Sequence, residues 1–550
     1  MKTFRPTKKI NTISLSCRYY KAFKMFRGLI SNKNAFPLLL VFCLLIPFSG
    51  FTQNPAQDSL LSTDKKEVTL KELFSFGNAG FVKIKSDNFE EPSAFEMETY
   101  NLDHELLHKQ TLSTERENEW FAIEGTFVWH NTLVVLASLY HSGPKKNHLL
   151  LYQYSLPKLE LIQSKVLTSC FAPIETRIPF LYKLSPDKSK LVVSAWSFRE
   201  EKAKAKIKLT VYGPNFNQLN RLEKELPFEN RRLFQDEVLI DNQGRCYFIG
   251  DNYVSNLYNE LRPSAMKKFV YAFLTTEKKD SLYQVTSKRI NLEQTQYTIN
   301  DQEELIGMTL VGRKGGKLFL DGTNFFKIKP STQTILTNYQ KIDKAQFKQA
   351  FTAYNPNLIP PKYAFSDYSL KQIFAIDNHY YLVGDRYEAT RYSYDYQDEH
   401  DVSSLVKSFE LQDIFVIKLN ASGTIRWMNR VPKKLEGSDA LLPFLSFKAF
   451  ARKNDLLLFF NDSYKNLADT TRQPLTKSTV ADAQLVITQV NLTNGQFKSR
   501  RLQNLLGEKY LVRTNDIQKF KENELFFYAN GRTPNVKRAI VKTLKLAAKE

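Results

Sequence analysis

Cysteine is scarce in this chain: four among 550 residues, two of which, Cys17 and Cys43, lie in the N-terminal stretch. That leaves Cys170 and Cys246, which excludes a disulfide-stapled scaffold and gives no zinc-ligand spacing. Two free, buried thiols on separate structural units are expected, with a single bridge as the alternative. No G-x-S-x-G nucleophile elbow and no G-x-x-x-x-G-K-[ST] phosphate loop occurs, so the two commonest hydrolase and nucleotide signatures are missing. Acidic residues are absent from Met1 to Thr52, against nine Lys or Arg there. Beyond Ala35–Phe51 no apolar run is long enough to cross a bilayer, which takes about 20 residues.

The basic start, the apolar run AFPLLLVFCLLIPFSGF and the small residues that follow match a secretory signal over residues 1–52. Gly50 and Thr52 stand at −3 and −1 for cleavage before Gln53. An uncleaved anchor is the alternative, and Met25 is a candidate true start. Phe42 before Cys43 is too bulky for a lipid-attachment site. Residues 53–67 read as a linker and 68–550 as one domain. The formal charge of +21 owes nine charges to the first 52 residues, which leaves 69 Lys plus Arg against 57 Asp plus Glu. These are scattered rather than gathered on a stripe, which argues against nucleic acid as a partner.

What the chain has in abundance is a repeat. Two apolar runs flanking a short polar turn recur at 127–140, 180–196, 237–253, 306–322, 372–387, 447–464 and 517–531. An aliphatic strand turning into a more charged one recurs at 97–112, 151–167, 209–226, 415–431 and 485–502. Hairpin pairs alternating with solvated outer strands predict an all-β propeller of four-stranded blades. With the partial unit at Phe81–Lys85 there are eight candidates, so seven and eight blades both stand. Only Arg538–Leu544 follows the last hairpin, so the final blade is one outer strand short, and an N-terminal strand is a candidate to supply it.

One segment imitates an active site. His104-Glu105-Leu106-Leu107-His108 fits H-E-x-x-H, a zinc-protease pattern that works only on a helix, where both histidines share a face. The repeat puts it in a turn and outer strand, parallel to Lys158–Ile162. Residues four apart on an extended strand lie about 13 Å from each other, too far for one zinc ion. His104 and His108 are therefore read as decoys, and neither metal nor cofactor is expected. Gly312–Gly316 is read as a hairpin turn.

Binding is expected on the face where second and third strands connect, because insertions vary most there. Three corners share a pattern: Gly250-Asp251-Asn252-Tyr253, Gly384-Asp385-Arg386-Tyr387 and Asn461-Asp462-Ser463-Tyr464, with Ala195-Trp196 a looser version. The aromatics either brace neighbouring blades or line a ligand rim. The segment Tyr387–Gln412, read as the longest loop, adds Tyr392, Tyr394 and Tyr396 beside Asp395, Asp398, Glu399, His400 and Asp401. The candidate binding residues are Tyr253, Asp385, Arg386, Tyr387, Tyr392, Tyr394, Tyr396 and Tyr464.

The stretch Phe415–Trp427 (FVIKLNASGTIRW) and the turn Ser185-Pro186-Asp187 resemble the blades of secreted bacterial β-propeller proteins of kelch-like or TolB-like type, over roughly residues 68–546. The WD dipeptide and the kelch double glycine are missing or irregular. The resemblance is architectural; the export signal and the insertion-rich face point to a periplasmic or cell-surface binding or scaffold protein, monomeric, engaging an envelope protein or a glycan and keeping no membrane span once the signal is removed. A hydrolase of polysaccharide or peptide is the alternative.

Overall fold

The computed structural model describes residues 69–86, 94–113, 119–171, 180–197, 202–230, 233–253, 266–274, 279–285, 295–311, 322–342, 368–392, 405–438, 441–463, 466, 478–479, 482–502, 510–521, 524–531 and 539–545. All belong to one compact unit, Asp64–Glu550. They form eight antiparallel sheets in a ring, a β-propeller of eight blades. Blade 1 holds β1 (Thr69–Ser75), β2 (Phe81–Ser86), β3 (Ala94–Tyr100) and β4 (Leu106–Ser113). Blade 2 holds β5 (Glu119–Trp129), β6 (Thr132–His141), β7 (Lys146–Ser155) and β8 (Leu161–Phe171). Blade 3 holds β9 (Leu181–Leu184), β10 (Leu191–Ser197), β11 (Lys204–Tyr212) and β12 (Gln218–Glu229). Blade 4 holds β13 (Leu233–Ile240), β14 (Cys246–Tyr253), β15 (Met266–Leu274) and β16 (Lys279–Val285). Blade 5 holds β17 (Gln296–Ile299), β18 (Leu305–Val311), β19 (Gly322–Lys329) and β20 (Thr334–Lys341). Blade 6 holds β21 (Tyr368–Ile376), β22 (His379–Tyr392), β23 (Leu405–Leu419) and β24 (Ile425–Gly437). Blade 7 holds β25 (Phe447–Ala451), β26 (Asp455–Ser463), β28 (Ala483–Asn491) and β29 (Phe497–Arg501), with β27 (Ser478–Thr479) between them in sequence. Blade 8 holds β30 (Tyr510–Val512), β31 (Gln518–Lys521), β32 (Glu524–Gly531) and β33 (Ala539–Lys545).

The middle strands show why a ring forms. The residues Leu191–Trp196 of β10 and all of β26 are buried, so these strands are covered on both faces and read as continuous apolar runs rather than alternating ones. Each inter-blade space accordingly carries its own apolar cluster. Val82, Met97, Leu133 and Tyr154 fill the space between blades 1 and 2, and Tyr381, Val383, Leu456 and Phe460 that between blades 6 and 7. Cys170 and Cys246 sit buried and free in blades 2 and 4, as the cysteine count suggested.

Two expectations need correction. Ile306–Gly322 is not an inner hairpin. The inner pair of blade 5 is β17–β18 around the turn Asn300–Glu304, which displaces Gly312–Gly316 into the connection between second and third strands, outside the described residues. Nor does the first described strand complete the last blade: β1 is the innermost strand of blade 1 and pairs with β2. In blade 8, β30 and β31 lie end to end along one edge of β32, with β33 on the other edge. The ring closes by packing. Phe526 of blade 8 meets Phe81 of blade 1 at 4.9 Å between ring centres, beside Leu73, and Gln518 Nε2 donates to the Leu73 carbonyl.

The turns between third and fourth strands lock blades 2, 3, 6 and 7 each to the one before it. Thr99 of blade 1 donates to Pro157 O at 2.7 Å and Lys165 of blade 2 to Phe216 O at 3.0 Å. Asn338 of blade 5 donates to Ser422 O at 2.9 Å and Asn429 of blade 6 to Gly495 O at 2.5 Å. Third-to-fourth turns place one residue at positive φ: His104, Leu159, Phe216, Gln333, Gly423 and Gly495. Leu159 and Phe216 push their side chains into the adjoining apolar clusters. At Gly423 a Cβ would lie 2.4 Å from the ring of Phe325.

Gly423→Ala should therefore cost about 2–3 kcal/mol, through backbone strain and a displaced phenylalanine, read as a lower urea midpoint. Gly143→Ala, with nothing within 4 Å of the added Cβ, should shift it by less than about 0.5 kcal/mol. Phe526→Ala should cost about 3–5 kcal/mol and expose the blade 1–8 seam to limited proteolysis first; a cleavage pattern unchanged from the parent chain would contradict closure by this contact.

Candidate binding face

Among the described residues the first-to-second and third-to-fourth turns share one face of the ring, here the turn face. The second-to-third connections open on the other, the insertion face. On the insertion face blade 6 departs from its neighbours. The expected loop Tyr387–Gln412 is largely a hairpin, because β22 runs to Tyr392 and β23 begins at Leu405, paired from Tyr387–Leu411 to Tyr392–Leu405 with one register shift that skips Lys407. β24 follows the extension as far as Gly437, and β27, from the blade 7 insertion, adds parallel to it at Leu435–Ser478. A one-turn helix, Leu442–Leu445, packs beneath. Phe409, Leu411, Leu435, Phe444, Leu445 and Ala483 form a separate small core, so the insertions of blades 6 and 7 make one accessory layer.

The layer stands on a double irregularity. Between the pairs Ile414–Val431 and Gln412–Lys434 the register skips Asp413 on β23 and Pro432-Lys433 on β24. Bulges re-aim side chains, and proline within a strand is one of their marks. Here they bury charge. Asp413 bonds Arg430 at 2.5 Å, both nearly inaccessible. Lys433 is fully buried and donates to Leu445 O and Ser446 O. Asp462 of β26 is buried alongside and accepts from Ser463 N at 2.8 Å and Asn466 Nδ2 at 2.9 Å. Asp385 of β22, also buried, has Lys371 Nζ at 3.7 Å, and neither of its oxygens has a hydrogen-bond donor among the described residues. Burial lowers Lys433 to about 8, opposed chiefly by Asp385 and Asp462. Burial raises Asp462 to about 7, opposed by its bonds to Asn466 and Ser463.

The predicted residues divide accordingly. Asp251, Asp385 and Asp462 recur on the second strands of blades 4, 6 and 7, and all are buried. Arg386 bonds Gln412 Oε1 at 2.8 Å, and Tyr387 stacks on Phe409 at 5.4 Å, so both brace the layer. Trp196 likewise braces, donating to Asn230 at 3.0 Å. Tyr253 ends β14 opposite Met266, and Tyr392 ends β22 opposite Leu405. Tyr394, Tyr396, Tyr464 and the acidic group Asp395, Asp398, Glu399, His400 and Asp401 lie outside the described residues. Sequence reasoning missed Lys371, Asp413, Arg430 and Lys433. The available signals were Asp413 ahead of an apolar run and Pro432 inside a strand.

The H-E-x-x-H segment is a turn leading into β4, not a helix. His104 sits at φ 68 with its ring edge-on to Phe81 at 5.5 Å, and His108 lies exposed on β4 opposite Thr99. The true counterpart of His104 is Leu159, the residue at positive φ in blade 2, so the expected parallel was one residue out of step.

The raised Asp462 has a consequence for stability. The folded chain keeps a proton there that the unfolded chain loses above about pH 4, so its contribution is full below that and declines as pH climbs towards 7. Lys433 acts the opposite way: the folded chain gives up its proton near 8 and the unfolded chain near 10.5, so stability recovers over that interval. Asp462→Asn should flatten the decline in urea midpoint between pH 4 and 7; an unaltered slope would assign the titration elsewhere.

No protein-family model matches the chain, and no curated protein matches its sequence. Among solved structures, the β-propeller domain of the Trilobed protease from Pyrococcus furiosus is 9% identical with a TM-score of 0.36, covering 79% of this chain and 98% of that one. The polysaccharide lyase Uly1 is 9% identical with a TM-score of 0.36, covering 77% and 90%. The WD40 domain of SCAP from fission yeast is 8% identical with a TM-score of 0.33, covering 81% and 93%. These are likenesses of general architecture, and none of the activities so named passes to this chain.

Proposed function

We propose that this propeller is an extracytoplasmic binding or scaffold protein that engages another envelope protein through the accessory layer on blades 6 and 7. The observation that carries this reading is the paired extension of β22 and β23 beyond the blade, anchored by a buried charge cluster. A surface loop needs no such base, whereas a recognition element gains from one, because a preordered hairpin has less conformational entropy to lose on contact. Buried charge is a costly way to gain stability but can fix one geometry among several. The basic and apolar N-terminus supports export to the periplasm or cell surface, where such a partner would be met.

The test is crosslinking and pull-down from the native envelope with the full chain, beside a variant in which residues 393–404 are replaced by a short Gly/Ser turn. This cut spares Phe409 and Leu411, so the small core survives. Protein partners captured by the parent chain should fall at least tenfold with the variant at unchanged thermal stability. Partners indifferent to the change would overturn this assignment, and recovery of glycan in place of protein would replace the partner class.

A further inference from the structure

Blade 2 ends at the insertion face in a pair of imidazoles. Val135, Ala137 and Leu139 alternate along β6, and Leu150, Tyr152 and Tyr154 along β7, all in the apolar cluster against blade 1. His141 and His148 are the next positions of the same two rows, because side chains two apart on a strand share a face. The turn 142–145 joins the strands, pairing His141 with Lys146 and His148 with Leu139, so the histidines are diagonal neighbours. Residues seven apart in sequence thus meet. Their ring centres lie 5.0 Å apart with the planes at 82°.

Aromatic side chains also pack edge to face, but two further features set this pair apart. Two imidazoles held through nitrogen by one tetrahedral ion at about 2 Å have ring centres roughly 5 Å apart, the separation found here. Ser169 of β8, opposite His148, sets its Oγ 2.8 Å from Nδ1. With the proton on Nδ1 the ring donates to the serine and keeps the Nε2 lone pair for an ion, which is how metal-ligating histidines are held. Both histidines are half-buried, fixed by the hairpin yet within reach of solvent. We propose that His141 and His148 bind one divalent transition-metal ion of the zinc type, with Ser169 as a positioning residue. Neutral imidazole suits zinc, copper and nickel, whereas magnesium and calcium take oxygen. No group of three or more His, Cys, Asp or Glu that could hold a metal occurs among the described residues, so water or a partner's donor fills the remaining positions. Lys146, opposite His141, is exposed, and solvent screens its charge.

The test is equilibrium dialysis of the chelator-treated full chain against micromolar zinc chloride, with bound metal counted by mass spectrometry. The parent should hold one zinc per chain, and His141→Ala and His148→Ala should each lower its affinity about tenfold or more. Ser169→Ala should weaken binding about tenfold, and Ser169→Thr, which keeps the hydroxyl, should bind as the parent does. His108→Ala, at an exposed histidine of β4, is the control. Thermal melts in chelator should match across the set, and added zinc should raise the midpoint of the parent and control but not of the two histidine variants. Excess magnesium should displace nothing; displacement would mean oxygen ligands and overturn the assignment. No stoichiometric zinc on the parent, or zinc kept in full by both histidine variants, would overturn the proposal. Zinc lost in His108→Ala and kept in His141→Ala would overturn it in favour of the H-E-x-x-H segment, and affinity unchanged in Ser169→Ala would overturn the role given to the serine.

Discussion

Every blade of this propeller depends on its neighbours, because its middle strands are apolar on both faces. A sheet such as β9–β12, with Val192, Val193, Ile207 and Leu209 all buried, has no solvent side to offer and can exist only between two others. The ring satisfies this need at every blade, but only if it closes. Closure falls on the leanest of the inter-blade clusters: Leu73, Phe81 and Phe526, flanked by Tyr100 and Tyr528. Outside that contact the face of blade 1 is ionic, with Lys85 2.6 Å from Glu98 and Lys109 2.5 Å from Glu96. No exchanged strand reinforces the seam among the described residues, so the Phe81–Phe526 packing, with Leu73 and the Gln518–Leu73 hydrogen bond, carries it there.

The second ordering device is the plug formed by the third-to-fourth turns of blades 2, 3, 6 and 7. A residue at positive φ turns the chain inward, and a donor from the blade before it captures a turn carbonyl. Glycine supplies that conformation in blades 6 and 7, whereas Leu159 and Phe216 accept its strain in return for burying a large side chain. His104 occupies the same position. A motif that reads as chemistry is, in place, a local solution to joining two blades.

The insertion face follows another logic. Its accessory layer has a core of its own, and beneath that core Asp385, Asp413, Arg430, Lys433 and Asp462 are removed from water. Their mutual attraction repays desolvation only in one arrangement, so the cluster favours a defined geometry over maximal stability. A hairpin projecting from such a base is positioned rather than merely tethered.

The all-β class, the repeat and most inner hairpins were legible in the chain, because strands buried on both faces leave long apolar runs and tight turns leave Asn, Asp and Gly. Blade 5 hides its start for a physical reason: its inner strand Gln296–Ile299 is short and half exposed, so the stronger run at Ile306 looks like the start of the unit. The blade 6 insertion reads as a loop because its tyrosines and charges lack strand-like alternation, and only pairing across β22 and β23 makes it a hairpin. Local pattern by itself determined the elements and their order. The number of blades, the closing contact and the buried ion cluster were decided by tertiary structure alone, because each depends on residues far apart in sequence, as Leu73 is from Phe526 and Asp385 from Asp462, whose meeting no local periodicity encodes.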